Sequence, residues 1–275
     1  MMKHIFKTAI FSILFFNQFV TAQSPWTREA GKGFAHLGFS GIFYNKVEIN
    51  GKTVDLNADY TDLTLQVYTE YGITNNLEFQ FILPYKSVGY KSNIGNFSQD
   101  LSGIGNVSFG MKYKVYDGRW KVSTGLLFSA NSISKNNVKQ LSSGFNAETF
   151  LTYASIGTSA GKWYYFGNIG YGFMTNHYSD YMKVSAELGY NIIEKGHIVL
   201  LVDTRNVISE EGAFDGDSNQ WPSYQDRQSF SAVGLKFNYD FTKDKFGANI
   251  AVLGAFDLDN APVAPSINLG VYSKF

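Results

Sequence analysis

Long segments in which apolar and polar residues alternate, joined in pairs by short turns, run through most of this chain and leave few folds open to it. The clearest is Tyr60–Pro84, YTDLTLQVYTEYGITNNLEFQFILP. Leu63, Leu65, Val67, Thr69 and Tyr71 fall on one face of an extended chain, and Asp62, Thr64, Gln66, Tyr68 and Glu70 on the other. After Thr74-Asn75-Asn76 the alternation restarts, with Leu77, Phe79, Phe81 and Leu83 against Glu78 and Gln80. Side chains of a strand point alternately to its two faces, so this stretch predicts a β-hairpin with one apolar and one polar wall. Each arm is roughly ten residues or more, longer than the usual five or six. Such arms, with aromatic ends, suit strands that cross an outer membrane at a tilt.

The same unit recurs. Further strands are predicted at Gly33–Tyr44, Gly103–Tyr116, Trp120–Asn131, Ala147–Ala160, Trp163–Thr175, Tyr181–Ile193, His197–Ile208, Gln228–Phe241, Phe246–Asp257 and Val263–Phe275. With the two arms above that makes about twelve, an even number, as outer-membrane barrels require. Turns of two to four residues alternate with polar loops at Asn45–Asp59, Lys91–Ser102, Ser132–Asn146 and Ser209–Arg227. Short turns belong on the periplasmic side and long loops outside, and the assignment obeys that parity. No segment keeps a 3.6-residue period. The expected fold is all-β: a transmembrane antiparallel barrel forming one domain over residues 23–275. With strands spaced roughly 4.8 Å and tilted about 40°, its backbone radius would be roughly 12 Å.

A mean hydropathy of −0.14 does not contradict this, because apolar residues at alternate positions vanish in an average. Twenty-three basic against 23 acidic residues leave no excess of the kind that nucleic-acid binding requires. The absence of cysteine excludes disulfides and thiol chemistry. Residues 1–22 carry Lys3, His4 and Lys7 ahead of an apolar run to Val20 and end in Val20-Thr21-Ala22, the pattern of a cleaved secretory signal. Export and barrel together imply the outer membrane of a Gram-negative bacterium, with its lipid as a partner.

Aromatic residues gather beside the short turns: Tyr71, Tyr116 and Trp120, Trp163, Tyr190, then Tyr239, Phe241 and Phe246. Amphipathic rings favour the headgroup layer, so these predict a periplasmic girdle. The last ten residues, SINLGVYSKF, alternate and end on Phe275. That ending resembles the signal by which barrel-assembly machinery recognises its clients, although Ser273 stands where an aromatic is usual.

If the apolar face meets lipid, the other face lines a lumen. It would carry Asp62, Gln66, Glu70, Glu78, Gln80, Lys112, Lys114, Lys121, Lys183, Glu187, Asp203, Arg205, Lys236 and Asp240. Charges at membrane depth need water or partners, so an open polar channel and a filled, self-paired interior both suit this set. Pro84 falls within a strand of a closed barrel, where no edge excuses its missing donor, and predicts a bulge or a gap in the wall. His177-Tyr178-Ser179 beside Asn176 has the spacing of barrel phospholipases but lies in a loop, so no catalytic residues are assigned. Asp215-Gly216-Asp217-Ser218-Asn219, with Asp226 at the twelfth position, imitates a calcium loop but lacks the central glycine and the closing glutamate. His36 and His197 have no metal-ligand spacing. Neither metal nor cofactor is expected.

The phrases TEYGITNNLEFQFILPY, SGIGNVSFGMKYKVY and NLGVYSKF resemble the phenol-degradation meta-pathway family of outer-membrane barrels, also labelled transporters. In that family an acidic-Tyr-Gly-hydrophobic-Thr turn leads to a Leu-Pro-Tyr strand and a Gly-x-Gly-(Asp/Asn) start to the next; here these are Glu70–Thr74, Leu83–Tyr85 and Gly103–Asn106. The resemblance implies passage of small compounds, hydrophobic or aromatic ones among them, across the outer membrane, and names no substrate. A structural or adhesive barrel with a filled lumen, and a lipid-modifying barrel enzyme, are the alternatives.

Overall fold

The structure, a computed structural model, describes residues 23–136, 140–209, 216–218 and 221–275. The predicted signal segment lies outside the described residues. The strands are β1 Gly33–Ile49, β2 Lys52–Gly72, β3 Leu77–Ser92, β4 Ser98–Ile104, β5 Ser108–Asp117, β6 Lys121–Ser129, β7 Lys135–Asn136, β8 Leu141–Ser142, β9 Thr149–Ala160, β10 Trp163–Met174, β11 Tyr181–Ile193, β12 Gly196–Val207, β13 Ser229–Thr242, β14 Phe246–Asp259, β15 Ala261–Pro262 and β16 Ser266–Lys274. Twelve of them form a closed antiparallel ring, in the order β1, β2, β3, β5, β6, β9 to β14 and β16. The ring closes where β1 pairs with β16 as well as with β2. Phe275 completes the seam: its backbone N–H donates to the Gly33 carbonyl (3.0 Å) and its carbonyl accepts from the Gly33 N–H (2.7 Å).

The alternation sorts side chains as lipid and lumen demand. Leu65, Val67, Phe109, Met111, Leu126, Ile169, Val184, Leu200 and Leu235 are exposed on the outer wall. Rings near the short turns pack edge-on or tilted into the girdle, Trp120 against Tyr165, Trp163 against Tyr190, and Phe241 between Tyr239 and Phe246. Two of those turns are tied by Lys243 Nζ and Glu194 Oε1 (2.8 Å), and the hydrogen bond from Lys243 holds the glutamate's carboxyl below its usual range.

The first two predicted loops are mostly strand. Over Asn45–Asp59, β1 and β2 continue to a two-residue turn at Asn50-Gly51, both at positive φ, as a tight hairpin turn requires. Over Lys91–Ser102, β3 runs to Ser92 and β4 starts at Ser98. Both hairpins stand above the lipid, where the outer face meets water and the inner face is apolar. Val47, Leu56, Ala58, Tyr60, Val88 and Tyr90 pack inside with Leu141 and Trp221. Trp221 comes from the connection between β12 and β13. Leu141 comes from the one between β6 and β9, which folds inward and forms the small β7–β8 hairpin. The upper lumen is therefore filled by an apolar cluster.

The predicted strand Gly103–Tyr116 is interrupted. β4 and β5 continue one another beside β3, but the register changes between Tyr85↔Ile104 and Ile82↔Ser108. The extra residue lies opposite Pro84. The Pro84 carbonyl accepts from Gly105 N–H (2.9 Å), and in an antiparallel ladder a residue's N–H and C=O face the same neighbour. The donor that proline lacks therefore faces this bulge, while β2 continues unbroken past Pro84 through Gln66.

Candidate functional site: the occupied lumen

The chain ahead of β1 enters the barrel rather than hanging from it. Trp26 packs edge-on against Tyr164 and Phe166, and the Gln23 carbonyl accepts from Ser155 Oγ (2.5 Å). Arg28 reaches Glu70 through Nη2 and Nε, both at 2.7 Å, and its backbone N–H donates to Glu78 Oε2 (2.8 Å). Lys112, fully buried, lies 2.8 Å from Glu78 and 3.7 Å from Glu70 and also donates to the Trp26 carbonyl (2.9 Å). Tyr68 donates to Glu70 (2.6 Å), Gln80 Nε2 to Glu78 (3.3 Å), and Tyr153 to Gln80 Oε1 (2.9 Å). Two carboxylates, two cations and their hydroxyl and amide neighbours thus form one network across β2, β3, β5, β9 and the entering segment.

The remaining lumen residues named from the sequence pair more locally. Glu187 takes Lys236 (3.0 Å) and Tyr164 (3.2 Å); Asp203 takes Lys183 (3.7 Å); Asp240 accepts from Tyr272 (2.6 Å). Asp62 takes Lys86 (3.0 Å) and Tyr224 (2.8 Å). Lys114 and Lys121 both bind Asp117 at the periplasmic mouth, away from the central network. Arg205 lies between the rings of Tyr181 and Phe145. Gln66 is buried between the two open spaces that remain.

Those spaces are a lower cavity of about 510 Å³ and an outer one of about 260 Å³. The lower is bounded by the entering segment through Trp26 and Arg28, by Phe34, Tyr68 and Tyr272, and by the amides of Asn238, Asn249 and Asn268. The outer is bounded by Pro84, Lys86, Asn106, Gly144, Phe145 and Tyr224. It abuts the part of the wall where the register beside β3 shifts between β4 and β5.

There β6 ends at Ser129, and among the described residues β4 pairs with β3 alone. The inward-folded connection meets the end of β4 and the residues after it mostly through side chains, with one backbone hydrogen bond, from Ala130 N–H to the Val107 carbonyl (2.8 Å). Ser132 Oγ donates to the Gly105 carbonyl (2.5 Å) and accepts from Val107 N–H (2.9 Å), and Ser143 Oγ donates to the Ile104 carbonyl (2.7 Å). Asn106 Nδ2 holds the carbonyls of Ala130 (3.0 Å) and Phe145 (2.8 Å). Pro84 lies seven residues above the short turn, roughly 18 Å up a strand tilted by about 40°, which puts this breach in the outer leaflet. Tyr85 and Ile104 are exposed on its outer side.

Arg28, Trp26 and Lys86 were not among the residues named from the sequence. Lys86 shares the inward face with Gln80 and Pro84, so the two-residue period could have found it; the entering segment has no period to read. His177 is exposed at positive φ, and Ser179 is buried with its N–H on the Asp226 carbonyl (2.9 Å), both in the turn between β10 and β11. Of the calcium-like stretch, Asp215 and Asn219 lie outside the described residues.

Solved structures of outer-membrane barrels share this fold. A COG4313 outer membrane channel from Pseudomonas putida F1 matches over 92% of this chain and 98% of its own, with 16% identity and a TM-score of 0.68. The KdgM porin matches over 87% and 99%, at 7% identity and 0.50, and the NanC porin over 88% and 98%, at 10% and 0.50. No curated protein matches the chain. The family described as "Putative MetA-pathway of phenol degradation" matches residues 29–261, most of the chain, and the protein belongs to it.

Proposed function

We propose that this barrel is a passive conduit that carries small compounds, apolar and aromatic ones among them, across the outer membrane. The observation that carries this reading is the contact between the outer cavity and the breach beside β4. A solute in that cavity is separated from outer-leaflet lipid by serine and asparagine contacts rather than by a continuous ladder. Side-chain hydrogen bonds of this kind contribute about 0.5–1.5 kcal/mol each, so several can open without unfolding the barrel. The entering segment and its ion network obstruct the axial route below. A sideways exit at the height of Pro84 fits both facts and suits an apolar solute, which gains by meeting hydrocarbon. The channels and porins of the same fold support a transport role, and the family's description supports aromatic compounds.

The packed lumen favours one other reading, a structural barrel that passes nothing. Proteoliposomes whose outer leaflet is lipopolysaccharide, which slows entry of apolar solutes through the lipid itself, separate the two. With the mature barrel inserted, uptake of toluene and of phenol is expected to exceed that of protein-free vesicles under the same gradient. Rates equal to those of empty vesicles would leave the structural reading.

A further inference from the structure

Arg205 is the one buried cation whose charge the described residues leave without an anion. Lys112 and Lys183 each have a carboxylate within 4.0 Å, whereas Arg205 has none, although it is only 4% exposed. Its Nη2 donates to Met174 Sδ (3.1 Å), and its Nε has no hydrogen-bond partner. Two rings cover the guanidinium, Tyr181 at 4.0 Å and Phe145 at 4.7 Å from centroid to Cζ. Aromatic faces replace only part of the hydration that a buried charge gives up, so the group remains short of an anion.

The ring of Phe145 occupies a defined box. Tyr178 meets it edge-on at 5.9 Å and Tyr224 at 5.1 Å, with the guanidinium beyond. Arg205 pairs in the sheet with Lys183 on β11 and Phe230 on β13. Both neighbours and Phe145 itself line the outer cavity. A solute in that cavity is thus one aromatic ring away from a guanidinium that has no carboxylate partner among the described residues.

We propose that the outer cavity binds a small aromatic carboxylate that takes the place of Phe145. The solute's ring enters the box between Tyr178 and Tyr224, and its carboxylate pairs with Arg205, whose planar fork matches two carboxylate oxygens. Lys183 on the adjacent strand is already held by Asp203 (3.7 Å), so Arg205 alone supplies the pairing charge. A neutral aromatic of equal shape fills the box but leaves the guanidinium unpaired. An aliphatic acid supplies the charge but leaves the box empty. The site selects for the two features together. The proposal rests on the conduit reading for how such a solute arrives, but binding itself needs access from one side only, not a path through the barrel.

Benzoate, benzamide and acetate, titrated calorimetrically into the purified mature barrel in detergent, test it. Benzoate is expected to bind about tenfold or more tightly than either of the others, the scale of one charge-assisted hydrogen bond. Arg205→Met should bring benzoate down to the benzamide level, with heat-modifiable migration on gels checking that the barrel is folded. Phe145→Ala, which vacates the box, should tighten benzoate about fivefold because a competing cation–π contact is gone. Equal affinity of the wild-type barrel for benzoate and benzamide overturns the site, as does unchanged benzoate binding by folded Arg205→Met. A barrel that binds benzoate in this way yet passes no toluene or phenol keeps the site and loses the conduit. One that passes both and treats benzoate and benzamide alike does the reverse.

Discussion

Arginine in place of Leu65 or Val184 is expected to destabilise the barrel by about 2–4 kcal/mol, read from denaturant unfolding in lipid vesicles. Both side chains are exposed on the outer wall. Each lies six residues above a girdle aromatic, Tyr71 and Tyr190, which places it roughly 15 Å into the apolar band on a tilted strand. A guanidinium there loses its hydration and finds no partner in hydrocarbon. Arginine in place of Ile94, exposed in the turn between β3 and β4, should leave stability unchanged because water reaches it. Equal effects at all three positions would mean that the exposed apolar belt does not meet lipid.

The second large effect is expected at Lys112. Replacing it with methionine keeps the stem and removes the cation that Glu70 and Glu78 share, leaving two buried carboxylates with only Arg28 between them. Breaking a buried ion pair from one side costs about 3–5 kcal/mol, and Lys112→Met should lose stability on that scale. Adding Glu78→Gln should recover a large part, since the double variant no longer buries the second unpaired charge. A loss for the double variant equal to the sum of the two single losses would show that the network is not coupled.

The barrel's wall was legible because a two-residue period survives wherever one face meets lipid. What lies above the lipid was not. Over Asn45–Asp59 the outer face becomes polar while Val47, Leu56 and Ala58 turn inward, so the polarity rule inverts and the stretch resembles a loop. Asn50-Gly51 was the signal that could have corrected it, since that dipeptide favours the tight hairpin turn found there. The lumen set was readable as a face, because Glu70, Glu78 and Lys112 each sit in phase with their strand. Which charges meet was not, because pairing depends on the stagger between strands. The entering segment escaped altogether: Trp26 and Arg28 are fixed by contacts with β2, β3 and β10, not by any local pattern. Pro84 lies opposite the register shift, but among the described residues the edge without a second strand partner lies on the next strand over, where β4 outruns β6.

That edge permits a direct test of the sideways exit. A Cβ built on Gly103 of β4 would lie 3.0 Å from the Cβ of Ser134 in the inward-folded connection, about half an ångström short of disulfide geometry. The chain has no cysteine, so Gly103→Cys with Ser134→Cys would form a single lock between wall and connection. Toluene uptake into vesicles containing the oxidised double variant, compared with the same protein after reduction, measures whether solutes pass at that seam. Uptake that falls toward the protein-free rate on oxidation and returns on reduction is the predicted result. Uptake that stays above the protein-free rate and is the same in both states would contradict a route through the wall and leave passage along the axis.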